Sequence, residues 1–313
     1  MSVKNEIVSS FGGKIRIMAE GIDDRIFEEA EEIRIRADRP SVIKLREKTK
    51  YITPQGILVD DDKKAFYPEI KDIAATMEIL SGYSLYAFSE EVKKGFITIS
   101  GGHRIGIAGH TVTQNDCVVD IRHINSLNIR ISHEIKGCAN IILPYIFNCH
   151  SVMNTIIISP PGCGKTTLLR DLTRLISNSL INVSVVDERS EIGGTFRGKR
   201  NNDCGKNTDV LDGCPKTVGM KMLLRSMAPD CIVVDEIGED KDIDAIEEIL
   251  NCGVAVICTV HGATIKDVLN RTSLKRLTEI KAFDRYVFLH NKGKTGRVEE
   301  VLDENLKVLW RDE

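Results

Sequence analysis

Thr155-Ile156-Ile157-Ile158-Ser159-Pro160-Pro161-Gly162-Cys163-Gly164-Lys165-Thr166-Thr167 carries an apolar strand into a glycine-bearing loop and on into a helix. Strand, loop and helix in that order predict a phosphate-binding loop. Glycines at 162 and 164 let backbone N–H groups close around phosphate oxygens, Lys165 brings a positive charge to the β and γ phosphates, and the Thr166 hydroxyl at a helix N-terminus suits Mg²⁺. Pro161, Gly162, Cys163, Gly164, Lys165, Thr166 and Thr167 are therefore the expected nucleotide contacts, with ATP and Mg²⁺ as the expected ligands. The pattern asks for glycine where Ser159 stands. That position is where the strand leaves the sheet, and the two glycines beside the phosphates, which need positive φ, are in place. Gly-Lys-Thr alone would be an ordinary loop; the flanking strand and helix give it meaning.

Downstream, 182–187, 231–235 and 254–259 are continuous β-branched runs, the pattern of strands buried on both faces of a parallel sheet. Segments 285–291, 296–302 and 306–310 read as a closing meander turning at Lys292-Gly293 and Glu304-Asn305. The predicted fold class is α/β, a RecA-like P-loop NTPase domain with a mostly parallel sheet over 138–313. A smaller α+β domain, PAS-like or resembling a secretion-ATPase N-domain, precedes it over 1–137. In that first half, 24–32 reads as an acidic helix entering a strand, 68–81 as a helix, 41–45 and 50–59 as strands, 95–109 as a hairpin, and 116–122 and 126–132 as two further strands.

Two acidic clusters follow from where those strands end. Cys231-Ile232-Val233-Val234-Asp235-Glu236 is a Walker B strand in form: Asp235 is expected to hold Mg²⁺, and Glu236 to orient or deprotonate the attacking water. Val185-Val186-Asp187-Glu188-Arg189-Ser190-Glu191 ends the strand after the phosphate-loop helix, at the edge where ligands of open α/β sheets gather. Glu188 is the candidate for positioning water or for the metal's outer shell, and Arg189 for a neighbouring nucleotide; a solvated salt-bridged loop is the alternative. His261, at the end of the next strand, is a candidate sensor of the γ-phosphate. The basic, polar stretch 197–203 is expected to lie outside the core, as a loop facing a pore or partner or as plain surface.

Composition limits the alternatives. The chain has 313 residues, 42% hydrophobic and 28% charged, with a formal net charge of −3, which describes a globular protein without a bulk attraction for nucleic acid. Nine cysteines, none in a Cys-x-x-Cys pair, suit free thiols in a reducing compartment. A zinc site joining Cys204 and Cys214 to His103, His110 or His261 has no ligand spacing to support it. No apolar run approaches the ~18 residues that span a bilayer. The expectation is a cytoplasmic protein with no integral membrane segment, able to dock on a membrane protein.

The phosphate loop, the acidic box at 187–191, Asp235-Glu236 and His261 together resemble the ATPases of type II and type IV secretion systems. Closer still is the resemblance to the stage III sporulation AA family. It is carried by Ser84-Leu85-Tyr86-Ala87-Phe88-Ser89-Glu90-Glu91, Gly101-Gly102-His103-Arg104-Ile105-Gly106, Val186-Asp187-Glu188-Arg189-Ser190-Glu191-Ile192, Thr208-Asp209-Val210-Leu211-Asp212-Gly213-Cys214-Pro215-Lys216 and Met227-Ala228-Pro229-Asp230, across roughly 31–310. The resemblance implies an ATP-hydrolysing motor or assembly ATPase of a secretion-like channel between mother cell and forespore. It further implies a homo-oligomer, a hexameric ring, at the inner face of the mother-cell membrane, docked on a membrane-embedded channel protein of the same operon. A nucleic-acid-translocating RecA-type ATPase is the competing class, disfavoured by the net charge. A nucleotide-locked scaffold would not need Glu236. Because secretion ATPases bind nucleotide between their two domains, Arg104 and Arg130 are expected to reach a neighbouring subunit's nucleotide, the alternative being pairing with carboxylates of their own domain.

Overall fold

A computed structural model describes residues 2–312 of the chain, apart from 46–47, 83–91, 94, 149–150, 196–197, 199, 270–271 and 291–294. The run 84–91, the turn at Lys292-Gly293 and two basic residues of the 197–203 stretch thus lie outside the described residues. The chain forms two compact units: one runs to His133 and includes Gly194–Asn201, and the other comprises Glu134–Gly193 and the chain from Asn202 onward. The first unit's main segment thus ends at His133. Glu134 and Lys136 belong to the second unit because both hold Asp203, through its N–H and its carboxylate respectively.

In the first unit, helices α1 (Val3–Val8), α2 (Gly13–Glu20) and α3 (Asp24–Glu29) precede strands β1 (Ala30–Arg36), β2 (Val42–Leu45), β3 (Thr49–Ile52) and β4 (Leu58–Val59). Helix α4 (Ile70–Ser81) follows, then β5 (Phe96–Thr98), β6 (Arg104–Gln114) and β7 (Cys117–Arg130). The strands make one antiparallel sheet in the order β4-β3-β2-β1-β7-β6-β5. Alternation sets its faces: Ile33, Ile35, Ile105, Leu127 and Ile129 are buried in a core with Ile7, Phe11, Ile15, Met18, Phe27 and Ile73 of the helices. The residues between them, Arg34 and Arg36 of β1, Asn128 and Arg130 of β7, and Arg104 and Gly106 of β6, form the opposite face. The two strands expected over 116–132 are one, β7. Its break in pattern is a bulge: His123 takes φ +48°, the register shifts opposite Gly109, and a side chain at 109 would strike the carbonyl of Arg122. Helices α1 and α2 carry short, irregular apolar spacing that does not mark them as elements, whereas α3 is the acidic helix expected over 24–32.

The second unit holds an eight-stranded sheet in the order β12-β11-β13-β14-β10-β15-β16-β17, after a small hairpin of β8 (Phe147–Asn148) and β9 (Ser151–Val152). Strands β10 (Thr155–Ser159), β11 (Val183–Asp187), β12 (Thr208–Asp212), β13 (Cys231–Val234), β14 (Ala255–His261) and β15 (Arg285–Leu289) run parallel. Then β16 (Val298–Asp303) and β17 (Val308–Arg311) turn back antiparallel as the expected meander. Every residue of β10, β11 and β13 is buried, alternate side chains entering two separate cores. Helix α5 (Lys165–Asn178) packs on one face through Leu168, Leu169, Leu172 and Ile176. Helices α6 (Lys216–Ser226) and α7 (Asp240–Asn251) pack on the other through Met220, Leu223, Ile243 and Ile246, as do α8 (Ile265–Leu269) and α9 (Thr272–Glu279) through Val268 and Leu277. This is an α/β RecA-like architecture preceded by an antiparallel α+β unit.

His103, one of the zinc candidates, is committed to the first unit's core. Its imidazole is 1% exposed; Nδ1 accepts the Ser132 N–H at 3.0 Å and Nε2 faces Glu6 Oε2 at 3.3 Å. Accepting at Nδ1 requires the neutral ring, and burial pushes its pKa from 6.5 down to about 4. A histidine whose pKa falls on folding adds stability at pH above 6.5 that is lost as pH falls through about 4. The urea midpoint of unfolding should therefore fall between those pH values, and His103→Asn, which keeps an acceptor in place of Nδ1 without titrating, should flatten that slope. An unchanged slope in the variant would remove His103 as its cause.

Candidate active site

Parallel strands direct their carboxyl ends to one edge of the sheet, so the loops leaving β10, β11, β13 and β14 meet there. Register decides the neighbours: Ser159 lies opposite His261 and Val234 opposite Cys258, which brings Asp235 to Thr259. Between β10 and α5 the loop turns through Gly162 at φ +81° and Gly164 at φ +92°, conformations open to glycine. Gly164 is needed twice over. The Gly296 N–H donates to the Cys163 carbonyl at 2.9 Å, and a Cβ at 164 would strike Gly296 and Thr295. Beside Gly162 the space is open. Ser159 completes β10, its hydroxyl donating to the Pro160 carbonyl at 2.9 Å, so serine is accommodated there by the strand itself.

Lys165 is 5% exposed; its ammonium donates to the carbonyls of Ser159 and Pro160, each at 3.2 Å, and to His261 Nδ1 at 2.9 Å. Burial draws its pKa down, against the pull of Asp235 and Glu236. The Thr166 hydroxyl donates to Asp235 Oδ2 at 2.6 Å, and the Thr259 hydroxyl donates to Asp235 Oδ1 while accepting the Glu236 N–H at 2.8 Å. Glu236 is a non-glycine residue at φ +49°, a conformation that persists only where its surroundings enforce it. Thr259 fixes its N–H, and Lys216 Nζ donates to its carbonyl at 2.6 Å. Its carboxylate spans Arg189 Nη1 at 2.7 Å and His261 Nε2 at 3.0 Å.

The neighbouring loop is gripped from two sides. Asp187 accepts the N–H groups of Glu191, Ile192 and Gly193 at 2.8–3.0 Å, and Arg170 of α5 donates to the carbonyls of Glu191 and Ile192. Burial raises the Asp187 pKa to about 6 in spite of those N–H groups. Glu188 lies 3.9 Å from Lys216 Nζ. Asp187, Glu188, Arg189, Glu191, Lys216, Asp235 and Glu236 line one recess with more carboxylates than cations. The Thr166 hydroxyl and Asp235 carboxylate are hard oxygen donors in contact, a pair that fits Mg²⁺ arriving with phosphate oxygens.

Lys165, Thr166, Asp235, Glu236, His261, Glu188 and Arg189 thus gather at one edge, with Pro161, Gly162, Cys163, Gly164 and Thr167 in the loop and first turn of α5. Arg189, expected on a neighbour's nucleotide, pairs with Glu236 of its own chain. Arg104 and Arg130 belong to the first unit, directly opposite each other on β6 and β7. Arg104 stacks over Phe96 at 4.4 Å, and Glu32, across from Arg130, turns to Arg34 and Asn128. Asn202, within the stretch expected outside the core, is buried because its amide donates to the Ile192 carbonyl at 3.0 Å. Cys138, Cys163, Cys204, Cys214, Cys231, Cys252 and Cys258 are free thiols, and among the described residues no group of three or more His, Cys, Asp or Glu could hold a metal.

This fold and this edge define a RecA-like phosphate-loop protein. The chain belongs to the sporulation stage III, protein AA family, whose sequence model matches residues 1–309. It is 42% identical over 312 residues to Stage III sporulation protein AA of Bacillus subtilis (strain 168), covering 98% of this chain and 97% of that protein. Its fold is shared with the ATPase DotB of Yersinia pseudotuberculosis, at a TM-score of 0.59 and 13% identity over 95% of this chain and 81% of that one. It is shared too with the pilus retraction motor PilT bound to ADP, at a TM-score of 0.57 and 15% identity over 92% and 81%. No described helix is long and apolar enough to cross a membrane.

Thr259 is fully buried, and its hydroxyl joins Asp235 to the Glu236 backbone. Thr259→Val keeps the shape and removes that bridge, with an expected loss of about 1–3 kcal/mol from a buried, charge-assisted pair. Wild-type urea unfolding in that variant would show that the bridge holds nothing.

Proposed function

We propose that the protein is a Mg²⁺-dependent ATPase that works as a ring, a hexamer, to drive or assemble a secretion-like channel between mother cell and forespore. It would sit in the mother-cell cytoplasm on a membrane-embedded channel protein of the same operon. The observation that carries the enzymatic part is the convergence of Lys165, Thr166, Asp235, Glu236 and His261 on one sheet edge. Family membership supports the sporulation setting.

In this reading the loop N–H groups and Lys165 hold the β and γ phosphates, and Lys165 must turn from the Ser159 and Pro160 carbonyls to do so. Thr166 and Asp235 would hold Mg²⁺, which when bound neutralises charge on the β and γ oxygens. Glu236 orients a water in line with the γ-phosphorus and accepts its proton as the new P–O bond forms. The bond to the β-phosphate oxygen breaks, leaving ADP and phosphate. His261, touching both Lys165 and Glu236, reports whether a γ-phosphate is present, and Glu188 adds a carboxylate at the mouth of the recess. One observation favours the nucleic-acid reading instead: Arg34, Arg36, Arg104 and Arg130 share a face of the first unit's sheet. Hydrolysis stimulated by RNA or DNA, with binding that weakens steeply with salt, would select it.

Lys165→Ala should abolish nucleotide binding or turnover, and Glu236→Gln should leave Mg-ATP bound while stalling phosphate release. A Lys165→Ala variant that turns over like the wild type would remove the phosphate-loop assignment. Failure of folded Glu236→Gln to bind Mg-ATP would make Glu236 a metal ligand.

Arg104 and Arg130 are proposed to act on a neighbouring subunit's nucleotide, a role worth on the order of 10³–10⁵ in rate where arginine fingers operate. Specific activity should then rise with protein concentration, and mixing Arg130→Ala with Lys165→Ala subunits should restore activity at mixed interfaces. No loss in Arg104→Ala or Arg130→Ala, or no rescue on mixing, would leave the first unit a docking module.

A further inference from the structure

Four side chains at the sheet edge form a continuous chain of contacts. Lys165 Nζ meets His261 Nδ1 at 2.9 Å, His261 Nε2 meets Glu236 Oε1 at 3.0 Å, and Glu236 Oε2 meets Arg189 Nη1 at 2.7 Å. With Lys165 donating to Nδ1, the neutral imidazole carries its proton on Nε2 and donates to Glu236. Both oxygens of the Glu236 carboxylate are therefore engaged by hydrogen-bond donors, one of them a guanidinium. The amine that would meet the phosphates is likewise turned onto backbone carbonyls.

Arg189 is not placed there by a loosely held loop. Asp187 collects three successive N–H groups just beyond it, Ser190 turns the backbone at φ +55°, and buried Arg170 ties the Glu191 and Ile192 carbonyls to α5. Helix α5 also presents Lys165 and Thr166, so the element that meets the nucleotide is joined to the loop that presents Arg189. The Glu236 backbone is pinned at both ends by Thr259 and Lys216, which leaves its side chain as the part able to move. The pair itself can open, since the Arg189 side chain is 59% exposed and that of Glu236 29%.

We propose that Arg189 is a latch on Glu236. Paired as here, it holds the carboxylate away from the water it would activate, and productive binding of Mg-ATP releases it. The inference rests on the ATPase reading above and assigns Arg189 a positioning role exerted through Glu236, with no contact to the nucleotide. The cost of opening the latch then falls on binding: a site whose competent form is only partly populated binds more weakly by that fraction.

The test is equilibrium titration of the full-length protein with a fluorescent ATP analogue and Mg²⁺. Arg189→Gln should bind about two- to fivefold more tightly than wild type, the range for a partly exposed ion pair. Arg189→Lys, which keeps the charge but not the fork, should fall between the two. In a Glu236→Gln background, where the ionic half of the latch is already gone, Arg189→Gln should make no further difference. Single-turnover hydrolysis at subsaturating ATP should be faster in Arg189→Gln than in wild type. Weaker binding by Arg189→Gln in both backgrounds would put Arg189 on the phosphates and overturn the proposal; so would unchanged binding in the wild-type background. If wild type binds no better than Lys165→Ala, the nucleotide reading itself fails and takes the latch with it. A wild type that binds while Arg189→Gln matches it removes the latch alone.

Discussion

The carboxylate of Asp235 is the joint on which the second unit's chemistry turns. One oxygen takes the Thr166 hydroxyl from the helix after the phosphate loop, and the other takes the Thr259 hydroxyl from the neighbouring strand. Three segments far apart in sequence are thereby held at hydrogen-bond distance. The parallel register makes this possible, since each strand delivers its last residue to the same edge. Thr259 extends the joint to the Glu236 backbone, so the Asp235 carboxylate and the Glu236 main chain share one anchor.

Charge at this edge is managed by the peptide as much as by ion pairs. Asp187 and Arg170 carry opposite charges into the interior, yet the protein joins them through the backbone between them: amide hydrogens go to the acid and carbonyl oxygens to the base. Asp187 takes three amide hydrogens and Arg170 gives two of its N–H groups to carbonyls, bonds without which burying either ion would cost several kcal/mol. Residues 191–193 are held in place for this reason, beside a polar stretch.

Much of this was legible in the sequence, and for identifiable reasons. Strands buried on both faces read as unbroken β-branched runs, and the phosphate loop reads because glycine, lysine and threonine each answer a separate demand of phosphate binding. Asp235, Glu236 and His261 could be found because they follow directly on such runs. Strand β12 escaped because it is a half-exposed edge strand whose Thr-Asp-Val-Leu-Asp pattern looks like a turn. Lys216 and Arg170 escaped because their roles depend on register across the fold; a lysine opening one helix and an arginine inside another carry no local mark. Arg189 was visible as part of an acidic cluster, but which carboxylate it meets is decided only by how β11 and β13 pair. Asn202 misled because polarity suggested surface, whereas an amide that donates to buried carbonyls sits comfortably inside.

The approach of Gly296 to the phosphate loop bears on how chains with this fold can diverge. Connections between antiparallel strands are ordinarily where insertions and deletions accumulate, because the ends are fixed and the middle faces water. The segment joining β15 to β16 does not have that freedom at Gly296. Its N–H closes on the Cys163 carbonyl, and a side chain at Gly164 would strike its backbone. A longer or bulkier connection there would be transmitted as a displacement of the phosphate loop. Length variation is accordingly expected elsewhere, as at the exposed 115–116 tip of the β6–β7 hairpin, and the backbone at Gly296 shares the steric restraint of the loop it touches.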